Sequence, residues 1–186
     1  TADPCAYETT FTGAGPNQGH PDIIKKLMTN PAFKSLYINR YADLLNTAFK
    51  CDSIMDHFNH FKGILTPEMP RHIAKWGSGS SNLANWNKNM DTLQSKIQQR
   101  CSYIEKAIVN CYNVTGPYPI TVDVDPPGAG EVKLNSIWLP TYVWKGNYFG
   151  NVTLTFKESV IDTAKYDFDY WEFVNHTPSP NTKKDS

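Results

Sequence analysis

Residues 37–76 read YINRYADLLNTAFKCDSIMDHFNHFKGILTPEMPRHIAKW, and the punctuation of this stretch decides the fold of the first half of the chain. Phe33, Leu36, Tyr37, Leu44, Leu45 and Phe49 recur at three- and four-residue steps with Tyr41 among them, the spacing of one helix face, while Asn39, Arg40, Asp43 and Asn46 fall on other faces. The apolar stripe is therefore expected to be the core side. A second helix is expected after Cys51, with Asp52 placed to cap it and Ile54, Phe58 and Phe61 on one face. Thr66-Pro67-Glu68 combines an N-cap residue, a first-turn proline and a first-turn acid, and predicts a short helix ending at Trp76.

Upstream, Pro21 suits a first helical turn, and Ile23, Ile24 and Leu27 give a short apolar face that Asn30-Pro31 breaks. Residues 1–20 are rich in Gly, Pro, Thr and Asn without periodicity and read as an irregular loop, with His20 as a cap or loop residue. Downstream, GSGSS at 77–81 is a flexible break. Leu83, Trp86, Met90, Leu93, Ile97, Cys101, Ile104, Ile108 and Cys111 then repeat at helical steps and predict an amphipathic helix of about thirty residues. Past Asn113 the residues turn to Thr, Val, Tyr, Trp, Gly and Pro, and 13 of the 24 aromatic side chains lie between positions 112 and 175, which marks a β region. Ile120, Val122 and Val124 alternate, PPGAG makes a turn, and Val132, Leu134 and Ile137 continue a hairpin; further strands are expected at 148–156 and 166–173.

The 186 residues carry 18 basic and 18 acidic side chains, so no overall field draws the chain to nucleic acid or to an anionic membrane. No apolar run approaches the ~20 residues that span a bilayer. The chain opens with TADPC, without Met or a signal peptide, and closes on SPNTKKDS, which reads as an excerpt of a longer polypeptide. The expected class is α+β: a helical subdomain over 1–116 with an irregular N-terminal loop, a small antiparallel β module over 117–175, and a linker or tail over 176–186.

Four cysteines, Cys5, Cys51, Cys101 and Cys111, fit two disulfides in an exported protein, and none of their spacings is that of a zinc site. On one continuous helix Cys101 and Cys111 stand ~15 Å apart, beyond the ~7 Å reach of a bridge. Two connectivities remain, each joining Cys5 and Cys51 to Cys101 and Cys111.

Candidate chemistry is sparse. Glu68, Arg71 and His72 place an acid, a guanidinium and an imidazole within one helical turn, suited to acid/base work or anion binding, although Glu68 and His72 also make an ordinary i,i+4 pair. His57 and His60 have metal-compatible spacing beside Asp56, against the simpler reading of an exposed helix flank. Asp123, Asp125, Asp167 and Asp169 alternate with apolar residues and could face calcium together if their strands adjoin, against the simpler reading of solvated outer strand faces. Tyr142, Trp144 and Tyr148, around Lys145-Gly146-Asn147, could offer a stacking platform to a sugar ring or simply fill a small core. Asn113, Asn151 and Asn175 open Asn-x-Thr sequons, which matter in a eukaryotic secretory host. No glycine-rich phosphate loop, GxSxG turn or HExxH helix occurs. No catalytic, cofactor-binding or metal-binding residue is assigned.

In YINRYADLLNTAF, PEMPRHIAKWG, NWNKNMDTLQSKIQQR and RCSYIEKAIVNCY, taken in that order, the chain resembles the C-terminal helical part of CotH-type atypical protein kinases, over about residues 21–112. The resemblance implies a kinase-like fold that binds ATP and a divalent metal and phosphorylates Ser/Thr of secreted or spore-coat proteins. The family's nucleotide-binding Lys and metal-binding Asp residues belong to segments that precede this one, so none is carried over. GEVKLNSI, GNYFGNVTLTF and YDFDYWEF are similar to small β repeat modules of bacterial surface proteins, which implies a spacer or adhesion element and an extracellular or cell-surface location. The expected reading is a non-catalytic portion of a secreted kinase that packs against an upstream ATP-binding core, whose partner would be a secreted or surface protein substrate. The competing reading is a self-contained extracellular module that binds carbohydrate through its aromatic-rich half.

Overall fold

The computed structural model describes residues 20–79 and 81–174. It is α+β, with five helices followed by five short strands among the described residues: α1 (His20–Met28), α2 (Pro31–Leu45), α3 (Cys51–Leu65), α4 (Met69–Trp76), α5 (Leu83–Tyr112), β1 (Thr115–Val122), β2 (Gly130–Leu134), β3 (Ile137–Trp138), β4 (Trp144–Gly150) and β5 (Phe156–Val160). The described residues form two compact units, one running to residue 118 and including 147–152, the other of 119–146 and 153–174. Cys5, the irregular N-terminal residues 1–19, Asn175 and the expected tail 176–186 lie outside the described residues.

Local chemistry explains the helix boundaries. The Asn30 side chain accepts from the amides of Ala32 and Phe33 at 2.9 and 3.3 Å, and Pro31 occupies the first turn, where a missing N–H costs nothing. Asn82 caps α5 by accepting from Asn85 N at 2.9 Å. At the other end of this 30-residue helix Asn113 takes the left-handed conformation (φ 54°) that commonly terminates helices.

Two local expectations are corrected. Thr66 does not start a helix: its hydroxyl donates to Lys62 O at 2.6 Å and its amide to the same carbonyl at 2.9 Å, closing α3, while α4 begins at Met69 with Pro70 in its first turn. Asp52 lies in the first turn of α3, behind Lys50 at the N-cap, where its charge favours the helix dipole without capping it.

The larger correction concerns α2. Its buried residues are Ile38, Asn39, Ala42 and Asp43, whereas Leu36 is 62% exposed and Phe49, just beyond the helix, 46%. The core side is thus rotated towards the polar residues, because partners for Asn46 and Asp43 arrive from β4, some hundred residues later. In α5 burial is confined to the last three turns, at Ile104, Ala107, Ile108 and Tyr112.

The strand pairings also differ from expectation. β1 pairs with β4 in a two-stranded sheet, and β2 is the central strand of a β3-β2-β5 sheet, so the segments on either side of PPGAG do not form a hairpin. β2 and β3 do, around Asn135-Ser136, with Lys133 opposite Trp138 and Leu134 opposite Ile137. Asn135 has φ 49°, as tight hairpin turns require. The expected 148–156 strand is split between β4 and β5, and residues 166–173 carry no strand beyond a single bridge at Tyr170. Between Gly130–Leu134 and Phe156–Val160 the register is antiparallel throughout. Val132 and Leu134 are buried on one face of β2, and Lys133 lies on the other.

Candidate functional site

Two places in the first unit combine unusual chemistry with defined geometry. The first is a buried polar clasp. Asp43 is 0% and Tyr148 1% exposed, and the Tyr148 hydroxyl donates to Asp43 Oδ1 at 2.7 Å. Burial, then the hydrogen bond to Asp43 and the negative charge of Asp43, push the Tyr148 phenol far above its usual range, so it stays a donor at any ordinary pH. One helical turn on, Asn46 pairs with the backbone of Asn147 as a strand would: its Nδ2 donates to Asn147 O at 2.8 Å, and its Oδ1 accepts from Asn147 N at 2.9 Å. Asn46 Nδ2 also reaches Ala42 O at 3.0 Å, and the Thr47 hydroxyl donates to Asp43 O at 2.7 Å. No buried side-chain N or O among the described residues lacks a partner. A carboxylate sealed from solvent and occupied by a phenol cannot take a proton from a bound substrate, so the clasp holds structure rather than performing chemistry.

The second place is an apolar groove of about 380 Å³ between α3 and α5. Cys51 at the start of α3 is disulfide-bonded to Cys101 in α5, and Lys62 near the end of α3 meets Asp91 at 3.5 Å, so the two helices run antiparallel. Ile54, Phe58, Phe61 and Leu65 form one wall, and Met90 and Leu93 stand on the other. Phe58 is buried, but Phe61 is 57% and Leu93 46% exposed. Lys62 lies 5.7 Å from the Phe58 ring centroid; its ion pair with the exposed Asp91 is worth little by itself.

The disulfide matches one of the two connectivities open from the sequence. Cys111 is disulfide-bonded as well, and Cys5 lies outside the described residues.

The residues singled out from sequence do not assemble into a site. Glu68, Arg71 and His72 are all exposed on α4, where the His72 amide donates to Glu68 O as part of the helix. His57 Nδ1 lies 2.7 Å from Ser53 O, and His60 stacks edge-on against Phe61. Among the described residues no three His, Cys, Asp or Glu side chains come together in a way that would hold a metal ion. Asp123 and Asp167 accept from the amides of Val124 and Phe168, their own neighbours, in loops rather than on strands.

Of the proposed sugar platform, Trp144 and Tyr148 are buried and Tyr142 is half-buried, its hydroxyl accepting from the Val132 amide. The Trp144 and Tyr148 rings are not open to a ligand. Sequence reasoning missed the clasp because Asp43 and Asn46 lie off the apolar stripe and look like an outer face, while their partners stand about a hundred residues later.

Among the described residues no helix is long and apolar enough to cross a membrane. Comparison with known proteins adds one positive finding: the family described as CotH kinase protein matches residues 5–104. No curated protein and no solved structure matches the chain. The matched span contains α1 to α4, both walls of the groove and both cysteines of the α3–α5 bridge. It covers more than half of the 186 residues, and the chain therefore belongs to the CotH kinase protein family.

Proposed function

We propose that the helical unit is the non-catalytic C-terminal portion of a CotH-type kinase and that it buttresses an ATP-binding core through the groove between α3 and α5. The observation that carries this reading is the exposure of large apolar side chains within the family-matched span. Phe61, Ile64, Leu65, Trp76 and Leu93 are each more than two-fifths exposed. Apolar area left in water at about 25 cal/mol per Å² is a standing cost that a packed neighbour removes. In this reading ATP and a divalent metal bind the core, the phosphoryl acceptor is a secreted or surface protein, and Glu68, Arg71 and His72 take no part in the chemistry. The second unit is an appended spacer. The disulfides are consistent with an exported, cell-surface protein, since such bonds persist in oxidising compartments.

Calorimetric titration of the isolated chain with Mg-ATP tests this division of labour. No heat of binding is expected from the chain alone, with binding and phosphotransfer restored in a polypeptide that also carries the core. Saturable nucleotide binding by the chain alone would contradict the reading. A second test substitutes Phe61→Ser and Leu93→Ser together. The pair should weaken association with the core by at least ~10-fold, given that truncating a central apolar anchor costs more than about 1 kcal/mol, while the helicity of the chain is retained.

A further inference from the structure

The second unit presents a face unlike the Tyr142–Trp144–Tyr148 cluster. In the β3-β2-β5 sheet Lys133 stands directly opposite Trp138 on one side and Lys157 on the other. Residues opposite one another in antiparallel strands point to the same side, so these three side chains form a row across the sheet, on the face away from buried Val132 and Leu134. Trp138 is 48% exposed, Lys157 is exposed, and the Lys133 ammonium lies 5.8 Å from the Trp138 ring centroid.

Two like charges set directly opposite each other on neighbouring strands destabilise a sheet, and here no acidic side chain among the described residues pairs with either lysine. The ion pairs Lys62–Asp91 and Lys165–Asp162 do not involve this row. Glu131 and Ser159 share the face, but Glu131 reaches neither lysine within ion-pair distance. The arrangement is what a ligand carrying both a flat apolar surface and regularly spaced negative charges requires. Adjacent strands are about 4.8 Å apart, comparable with the length of one pyranose along a polysaccharide.

We propose that the Trp138–Lys133–Lys157 row binds an acidic polysaccharide of the uronic-acid class. The C–H face of one sugar stacks on the indole, and the carboxylates of neighbouring sugars accept from the two ammonium groups. This inference does not depend on the kinase reading, because it concerns a different unit and a different ligand.

The test is binding of the full chain to polygalacturonate, to its neutral methyl ester and to inorganic polyphosphate, measured by calorimetry at low and moderate salt. Polygalacturonate is expected to bind, with the ester and polyphosphate each at least ~10-fold weaker. Trp138→Ala and the double variant K133Q/K157Q should each weaken polygalacturonate binding about tenfold, with the salt dependence lost only in the latter. Lys88→Gln with Lys96→Gln, on the outer face of α5 in the other unit, should change nothing. The melting temperature of K133Q/K157Q should equal or exceed that of the parent, which separates lost binding from lost folding. The proposal is overturned by no binding, by polyphosphate binding as tightly as polygalacturonate, or by wild-type affinity in either row variant.

Discussion

Helix α2 and the α3–α5 pair make opposite uses of their amphipathic sequences. α2 turns Asn39 and Asp43 inward and leaves Leu36 in solvent, whereas α3 and α5 leave Phe61, Leu65 and Leu93 lining an open groove. The first region is complete within the described residues, since its buried carboxylate Asp43 finds a partner in Tyr148 and the half-buried Asn46 amide one in Asn147. The second is held together by a covalent staple and retains unspent apolar surface. The lesson is that burial follows the available partners: a polar stripe can be core where the chain returns to satisfy it, and an apolar stripe can stay exposed where nothing among the described residues covers it.

The largest expected effect breaks the staple. The Cys51–Cys101 bridge closes a separation of 50 residues, for which the chain-entropy relation gives about 4 kcal/mol. Chemical denaturation of the Cys51→Ser/Cys101→Ser variant should show a loss of that order, with α3 separating from α5 before α2 is affected. Next comes the clasp. Tyr148→Phe removes one hydrogen bond to a buried carboxylate and should cost about 1.5–3 kcal/mol in the same assay. A cost below about 0.5 kcal/mol, the range of ordinary surface substitutions, would mean the clasp does not hold α2 to the returning chain.

The Tyr148 phenol supplies a pH signature with a definite sign. Its affinity for the proton is raised by folding, so its contribution is intact below the unfolded value of about 10 and is lost as the pH climbs above that value, by up to ~1.4 kcal/mol per pH unit. Stability measured between neutral and strongly alkaline pH should therefore fall more steeply in the parent than in Tyr148→Phe. The smallest expected effect on stability is at the groove. Phe61→Ser with Leu93→Ser should shift the folding free energy of the chain by no more than about 0.5 kcal/mol per site, as partly exposed residues do. A much larger loss would show that these side chains already serve the interior.

Much of the helical half was legible from sequence. Asn30-Pro31, the cysteines and the sustained three-four spacing from Leu83 to Cys111 place α2, α3 and α5 close to their observed limits, because capping and periodicity act over a few residues. The orientation of α2 was not legible. It depends on Asn147 and Tyr148, 101 and 105 residues from their partners, and propensity carries no information about such pairings. The β half shows the same limit: the alternation marks strands at 120–122 and 132–134, although Val124 lies beyond the end of β1, but β1 pairs with β4 and β2 with β3 and β5, choices made by long-range packing. By composition the aromatic residues of 142–148 read either as a platform or as the filling of a small core. Only burial distinguishes them from Trp138, whose neighbours in register leave it in solvent.

The open groove as the seat of a kinase core is the central claim, and amide hydrogen exchange tests it most directly. Exchange along 54–65 and 90–97 would be compared between this chain alone and a polypeptide that also carries the ATP-binding core. Clear added protection is expected on both groove walls when the core is present, with the clasp around Asp43 and Tyr148 protected equally in both. Unchanged exchange along α3 and α5, with the core folded and binding ATP, would contradict it.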